Sequence, residues 1–423
     1  MNAGPCTTLM NAGRNADDDE AGRRTTMNAG RNAENAEDDE RGPNRRTTMN
    51  AGRKADEEVR RALRVPARRL PDLFAPDTRL VVGFSGGQDS TCLLHALSRP
   101  RLKLDIVAAH VDHALRPDSA ETAQEVARAA EALGVSCELR RVDVAAYRRG
   151  LPGWSIQQAA RAARYRALTS VAQQLEAKAV LVAHTADDQA ETILLNLLRG
   201  AGLAGLAGMP LDETIEPRRL GPPLTEISAD LQTHPLRLAR PLLRVTRPAT
   251  LAYCAEFGLP VIEDLSNLSR SYTRNRVRLD LLPALEQFNP GIRGVLARTA
   301  DLAAEDADAL ESIVAELHTS LARTPQAGIV EYDLRLWRTQ PRALQRRLLR
   351  HGLESLLGGL VDVRASPIED ALDVVQSGTP AQTYHLPNGV ELCIGSSTFL
   401  LRLHGRARRP SRPNTWAVEV PRV

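Results

Sequence analysis

Lysine is nearly missing from this chain. Of the 55 basic residues only Lys54, Lys103 and Lys178 are lysines, and the others are arginines. Arginine suits bidentate phosphate contact, although a GC-rich coding bias produces the same skew. No Gly-Lys pair occurs, which excludes a Walker A loop, whose pattern requires Gly-Lys-Ser/Thr. Cysteine is sparse too. Cys6, Cys92, Cys137, Cys254 and Cys393 are scattered with no Cys-x-x-Cys, so a disulfide framework, a zinc site or an iron–sulfur cluster is not expected. No apolar run approaches the roughly 18 residues of a membrane span. The N-terminus lacks the apolar core of a signal peptide, so a cytoplasmic location without membrane contact is the default. The net charge of +3 is too small to indicate a nucleic-acid partner by itself.

The 423 residues suggest two or three domains, and 43% hydrophobic content supports a substantial core. The N-terminal segment is a polar repeat. Residues 10–16, 27–33 and 49–55 are near copies of Met-Asn-Ala-Gly-Arg-Asn-Ala. Such a unit offers no apolar positions to stack, so residues 1–59 are expected to be a disordered tail, with the true start at or near Met49. From about Arg60 the pattern becomes globular.

Residues 80–84 read as a buried strand that breaks at Ser85-Gly86-Gly87, where glycine accepts positive φ and admits a ligand to the backbone. Gln88, Asp89 and Ser90 then lead into a helix. A strand, a Gly-rich turn and a helix start together make an anion site, because the free amides and the helix dipole favour negative charge. The turn is neither a Walker A loop nor a Gly-x-Gly-x-x-Gly fingerprint. Further strands are predicted over 104–110, 136–142 and 179–183, with helices over 120–133, 155–175 and 187–198. This alternation argues a doubly wound, mostly parallel α/β sheet with ligands at the carboxyl ends of its strands. Residues 200–235, rich in Gly and Pro, read as a mobile loop, and 240–259 as a return to strand and helix. After Pro290 the pattern is mostly helical (296–321, 343–357 and 368–375), with strands at 382–385 and 399–403. The predicted units are 60–289, 290–405 and a tail from 406 to 423.

Three polar elements fall at strand ends: the Ser85 loop, His110-Val-Asp112-His113, and His184 with Asp187, Asp188 and Glu191. The last three share a helix face. Carboxylates beside a phosphate loop commonly hold Mg²⁺, though Asp187 and Asp188 also suit a plain helix cap. Arg161 and Arg164 share a helix face, either solvated or turned to phosphate.

Together these elements resemble the tRNA(Ile)-lysidine synthetases, a family of PP-loop ATP pyrophosphatases. The carrying segments are Ser85 to Ser90, His110 to Arg116, Ala160 to Tyr165, His184 to Thr192, Leu198 to Gly200, Arg240 to Leu243, Glu263 to Asn267 and Arg274 to Arg276. Ala114 departs from the family, which often carries glycine there, and the larger C-terminal region of longer members is not matched. The resemblance implies a PP-loop sheet followed by a smaller, mostly helical tRNA-binding domain. It implies ATP-dependent ligation of free L-lysine to carbon 2 of the wobble cytidine in CAU-anticodon isoleucine tRNA, through an adenylated intermediate, with release of AMP and pyrophosphate. Ser85, Gly86, Gly87, Gln88, Asp89, Ser90, His110 and Asp112 would bind ATP. Asp89 and Asp187 would hold Mg²⁺. Asp188, Glu191, His184, Arg161 and Arg164 would act on lysine, the adenylate and the tRNA. A homodimer is left open. Thiocytidine and thiouridine synthetases share the loop but need paired cysteines, and NAD or GMP synthetases lack the Asp264-x-Ser266-Asn267 match. A binding protein with decayed catalysis would release no pyrophosphate.

Overall fold

The computed structural model describes residues 45–262, 273–323, 328–357 and 365–403. Met1–Thr47 is a separate unit, and Thr48–Val423 is the unit considered below. The helix α1 (Arg45–Arg69) begins ahead of Arg60, and from Thr48 onward it belongs to this unit, where Ala55, Val59, Ala62 and Leu63 are buried in the core. The glutamates and arginines between them take the other face, the 3.6-residue pattern of a helix lying on a core.

The sheet is built from β1 (Arg79–Gly83), β2 (Asp105–Asp112), β3 (Cys137–Arg141), β4 (Val180–Leu181), β5 (Asp212–Ile215) and β6 (Leu236–Ala239). Its order is β3-β2-β1-β4-β6-β5, parallel throughout except for β5, which pairs antiparallel with β6 at the edge. The connecting helices are α2 (Gln88–Ser98), α3 (Ser119–Ala132), α4 (Val144–Arg149), α5 (Ile156–Gln174), α6 (Ala186–Leu198), α7 (Leu203–Leu206) and α8 (Arg247–Glu256). Strand residues alternate between two apolar layers, as a period of two requires. Leu80, Val82, Ala108 and Leu181 meet α1, α2, α3 and α8, while Val81, Ala109, Val180 and Val182 meet α5.

The loop expected over 200–235 is a built structure. It contains α7 and β5, and buried Arg166 donates to the carbonyls of Gln232 (2.7 Å), Pro217 (2.6 Å) and Gly221. Gln232 in turn bonds the backbone of Leu224 and Ile227. Glycine and proline content concealed a segment held both by its own Gln232 and by Arg166, which lies 51 to 66 residues before the carbonyls it binds.

Downstream, α9 (Thr273–Arg276) runs through a π-helical turn (Val277–Leu281) into α10 (Leu282–Phe288), and then comes the 30-residue α11 (Ile292–Leu321). Next follow β7 (Ile329–Asp333), α12 (Leu334–Arg338), α13 (Arg342–Leu357), α14 (Ala365–Ser377), β8 (Thr383–Leu386), β9 (Val390–Ile394) and β10 (Thr398–Leu403). The four strands form an antiparallel sheet, β7-β10-β9-β8, over a core of Tyr332, Trp337, Leu348, Leu372 and Phe399. The helical character expected after Pro290 is present, and β7 and β9 are additions to it. The expected tail from 406 lies outside the described residues.

Candidate active site

The strand order reverses between β1 and β4, because β2 and β3 lie on one side and β6 and β5 on the other. Ligands of open α/β sheets bind at such a point, outside the carboxyl ends of the strands. The Ser85 loop follows β1 there, and His184 follows β4.

Gly86 has φ +79°, and a β-carbon on it would meet Ile262 Cδ1 at 2.9 Å. Only glycine fits both restrictions. Ser90 Oγ donates to the Gly87 carbonyl (2.9 Å) and lies 3.1 Å from Ser85 Oγ, closing the turn. The α2 N-cap is Gly87 and makes no side-chain cap bond, so the amides of the first turn remain available to an anion. His110 Nδ1 donates to the Phe84 carbonyl at 2.9 Å and braces the end of β1 from β2. Asp112 is buried and accepts from the Ala114 amide at 2.8 Å. Ala114 has φ +50°, the left-handed region that glycine accepts more readily.

Across the switch point, the start of α6 presents three carboxylates. Asp188 Oδ2 accepts from both the amide and the hydroxyl of Thr185 at 2.9 Å, a capping arrangement. Its other oxygen accepts from Arg247 (2.7 Å) and Arg274 (3.3 Å). Glu191, 2% exposed, accepts from the same two arginines at 3.1 and 2.8 Å. Asp187 accepts from the Arg247 amide (2.8 Å) and from Arg293 (2.5 Å). Asp89 accepts from Thr250 Oγ1 and lies 3.5 Å from Arg247 Nε. Four carboxylates thus share three guanidinium groups.

The electrostatics differ within this set. Burial raises the Asp89 pKa above the ordinary carboxylate range, more than Thr250 and Arg247 lower it. Burial would raise Asp188 as well, but Arg247 and His184 outweigh it and hold the carboxyl below its ordinary value. Burial pushes His184 down to about 3 and His113 down to about 4, so both rings are neutral at neutral pH.

A second cluster adjoins the first. The guanidinium carbons of Arg161 and Arg164 lie 4.8 and 5.1 Å from the centre of the Tyr165 ring. Among the described residues, seven buried side-chain polar atoms lack a hydrogen-bond partner. Five of them belong to His113, Arg164, Tyr165, His184 and Arg240. Orphaned buried polar groups cost about 1–3 kcal/mol each, so these five are unusual and call for an explanation.

A family model described as a PP-loop domain matches residues 58–285. The chain is 36% identical over 318 residues to the tRNA(Ile)-lysidine synthase of Thermosynechococcus vestitus, covering 74% of this chain and 83% of that one. It is 39% identical to the synthase of Gloeobacter violaceus (72% and 84% covered) and 35% identical to that of Dehalococcoides mccartyi (72% and 62% covered). The chain belongs to the tRNA(Ile)-lysidine synthase family.

Within the chain, the motifs at Ser85 to Ser90, His110 to Arg116 and His184 to Thr192 fall at the carboxyl ends of β1, β2 and β4, while Leu198 to Gly200 closes the far end of α6 and Glu263 to Asn267 lies outside the described residues. The structure adds Arg247, Thr250, Tyr165, Arg240 and Arg293 to the residues that sequence singled out by role. Arg247 carried a readable signal. It occupies the first turn of α8 between the N-cap Thr246 and Pro248, where the helix dipole disfavours a cation. A cation there calls for carboxylate partners, and it has them.

Proposed function

We propose that the chain ligates free L-lysine to carbon 2 of the wobble cytidine in CAU-anticodon isoleucine tRNA. ATP activates the base as an adenylate, and AMP and pyrophosphate are released. The observation that carries this reading is the meeting of an uncapped Gly-rich phosphate turn with a buried carboxylate pair, Asp188 and Glu191, gathered by the same arginines.

In this reading residues 60–289 are the catalytic part and 290–405 the tRNA-binding part. Ser85, Gly86, Gly87, Gln88, Asp89 and Ser90 hold the ATP phosphates through the turn and the α2 amides. His110 and Asp112 act on the nucleotide through the backbone they brace, at Phe84 and Ala114. The carbonyl oxygen of cytidine is a poor leaving group and its adenylate a good one, so the protein's task is charge stabilisation rather than nucleophilic attack. Asp188 and Glu191 hold the ammonium charge of lysine. A carboxylate whose pKa is lowered is a weak base, so Asp188 serves binding rather than proton abstraction. His184 works as a neutral hydrogen-bonding ring, and Arg161 and Arg164 face the phosphate of the adenylate or the tRNA.

Mg²⁺ fits Asp89. This is a hard oxygen donor beside the phosphate turn, and its nearest guanidinium among the described residues, Arg247 Nε, stands off at 3.5 Å. Asp187, expected as its companion, has one oxygen on Arg293 and the other on the Arg247 amide. Among the described residues no three His, Cys, Asp or Glu groups are arranged as a metal cage. Mg²⁺ needs none when phosphate oxygens complete its shell. The ion would supply charge neutralisation on the departing pyrophosphate.

The test supplies ATP, Mg²⁺, labelled lysine and an isoleucine tRNA transcript. Label should enter the tRNA and should fail to enter when the wobble cytidine is replaced by uridine. Equal labelling of both transcripts contradicts the assigned base.

A further inference from the structure

We propose that Arg293 is a positioning residue that lets the long helix α11 set the geometry of the lysine-handling carboxylates. The inference rests on the assignment of lysine to Asp188 and Glu191.

Arg293 stands in the first turn of α11, where a cation opposes the helix dipole by about 0.3–1 kcal/mol. Two carboxylates hold it there. Its Nε donates to Glu286 at 2.6 Å and its Nη1 to Asp187 at 2.5 Å. The Asp187 side chain is 4% exposed, and its second oxygen accepts from the Arg247 amide at 2.8 Å. The Ala186 amide also donates to the Val245 carbonyl (2.9 Å), so the first turn of α6 is tied to the start of α8 at two points. The Arg247 side chain then reaches Asp188 and Glu191. A continuous chain of bonds therefore runs from α11 through Asp187 to both carboxylates.

The packing gives this chain a rigid base. Ala190, Leu194 and Leu195 of α6 pack with Val277, Leu282 and Leu296, the last on α11. About 42 Å along α11 from Arg293, at 1.5 Å per residue, Leu321 is buried in the core of the C-terminal antiparallel sheet, together with Val314. One helix thus has its first turn on Asp187, beside the lysine-handling pair, and its last turns in the other core. Asp187 is the only member of the carboxylate set bonded to α11 among the contacts of the described residues. This accounts for its commitment to arginine and backbone rather than to solvent.

The experiment measures steady-state KM for lysine and for ATP with the full chain and its tRNA. Arg293→Gln should raise the lysine KM about tenfold and leave the ATP KM within about twofold, and Arg293→Lys should recover most of the loss. Folding is checked by thermal unfolding. A folded Arg293→Gln enzyme with unchanged lysine KM, or with both KM values rising by one factor, overturns the proposal. If Arg293→Gln does not fold, Glu286→Gln decides, because it removes one of the two carboxylate partners that hold Arg293 in place. A selective rise of about threefold in lysine KM supports the proposal, and no rise overturns it. Glu191→Gln separates the premise. An unchanged lysine KM there overturns the lysine assignment and this inference with it. A raised KM there, beside an unaffected Arg293→Gln, overturns this inference alone.

Discussion

Arg247 Nη2 lies 2.7 Å from Asp188 Oδ1 and joins the first turns of two helices 59 residues apart in sequence. The same guanidinium serves Glu191 and approaches Asp89, and all of these groups are largely removed from water. Removing one partner of a buried ion pair leaves uncompensated charge at a cost of about 3–5 kcal/mol. Arg247→Ala should therefore lose about that much stability by urea unfolding, and pyrophosphate release with it. Arg247→Lys should lose less stability but still lose activity, because an ammonium cannot fork between two carboxylates. Wild-type stability in Arg247→Ala would contradict this account.

Gly86→Ala tests the phosphate turn. The new β-carbon would face Ile262 Cδ1 at 2.9 Å in a backbone conformation that alanine resists. Pyrophosphate release should fall at least a hundredfold. The double variant Gly86→Ala/Ile262→Ala should recover little, because relieving the contact leaves φ at +79°. Full recovery would show that the contact alone mattered.

Ala114 offers the opposite case. At φ +50° it carries strain that glycine would not. Ala114→Gly should be neutral or stabilising by up to about 1 kcal/mol. Ala114→Val should destabilise by about 1–3 kcal/mol, because a β-branched residue disfavours the left-handed region. Thermal unfolding of the two variants reads the difference.

His113 predicts an acid limb of stability. Burial and the neighbouring Arg164 lower its pKa from 6.5 to about 4 in the folded chain. An unfolded chain takes up this proton near pH 6.5 and the folded chain only near pH 4. Its contribution is fully present above pH 6.5, declines as pH falls from 6.5 to 4, and changes no further below. Urea midpoints at pH 7.5 and 5.0 should differ more in the wild type than in His113→Gln. Equal differences would contradict the burial of a neutral ring.

Much of the sheet was legible because its signal is local. Leu80, Val81 and Val82 alternate between two buried layers, and the Gly86 break follows at once. The helix face of Asp187, Asp188 and Glu191 was readable from spacing, and so was its place at a strand end. Which arginines pair with them was not, since Arg247, Arg274 and Arg293 approach from 56 to 106 residues away, even though the place of Arg247 at a helix start signals a need for carboxylates. The antiparallel β5 hid in a Gly/Pro-rich stretch because its pairing partner β6 lies beyond that stretch, and the Arg166 bonds that hold the intervening backbone come from 51 to 66 residues away. In β9 (Val390–Ile394), Glu391 interrupts the apolar run, and it is buried opposite Arg402 of β10.

The most direct test of the central claim omits lysine. With ATP labelled at the α-phosphate, Mg²⁺ and isoleucine tRNA, label should accumulate in the tRNA. Added lysine should then discharge it as AMP within a single turnover, and Asp188→Asn should load the label but discharge it slowly. Label that never enters the tRNA, or that leaves at the same rate without lysine, would contradict an adenylated tRNA resolved by lysine.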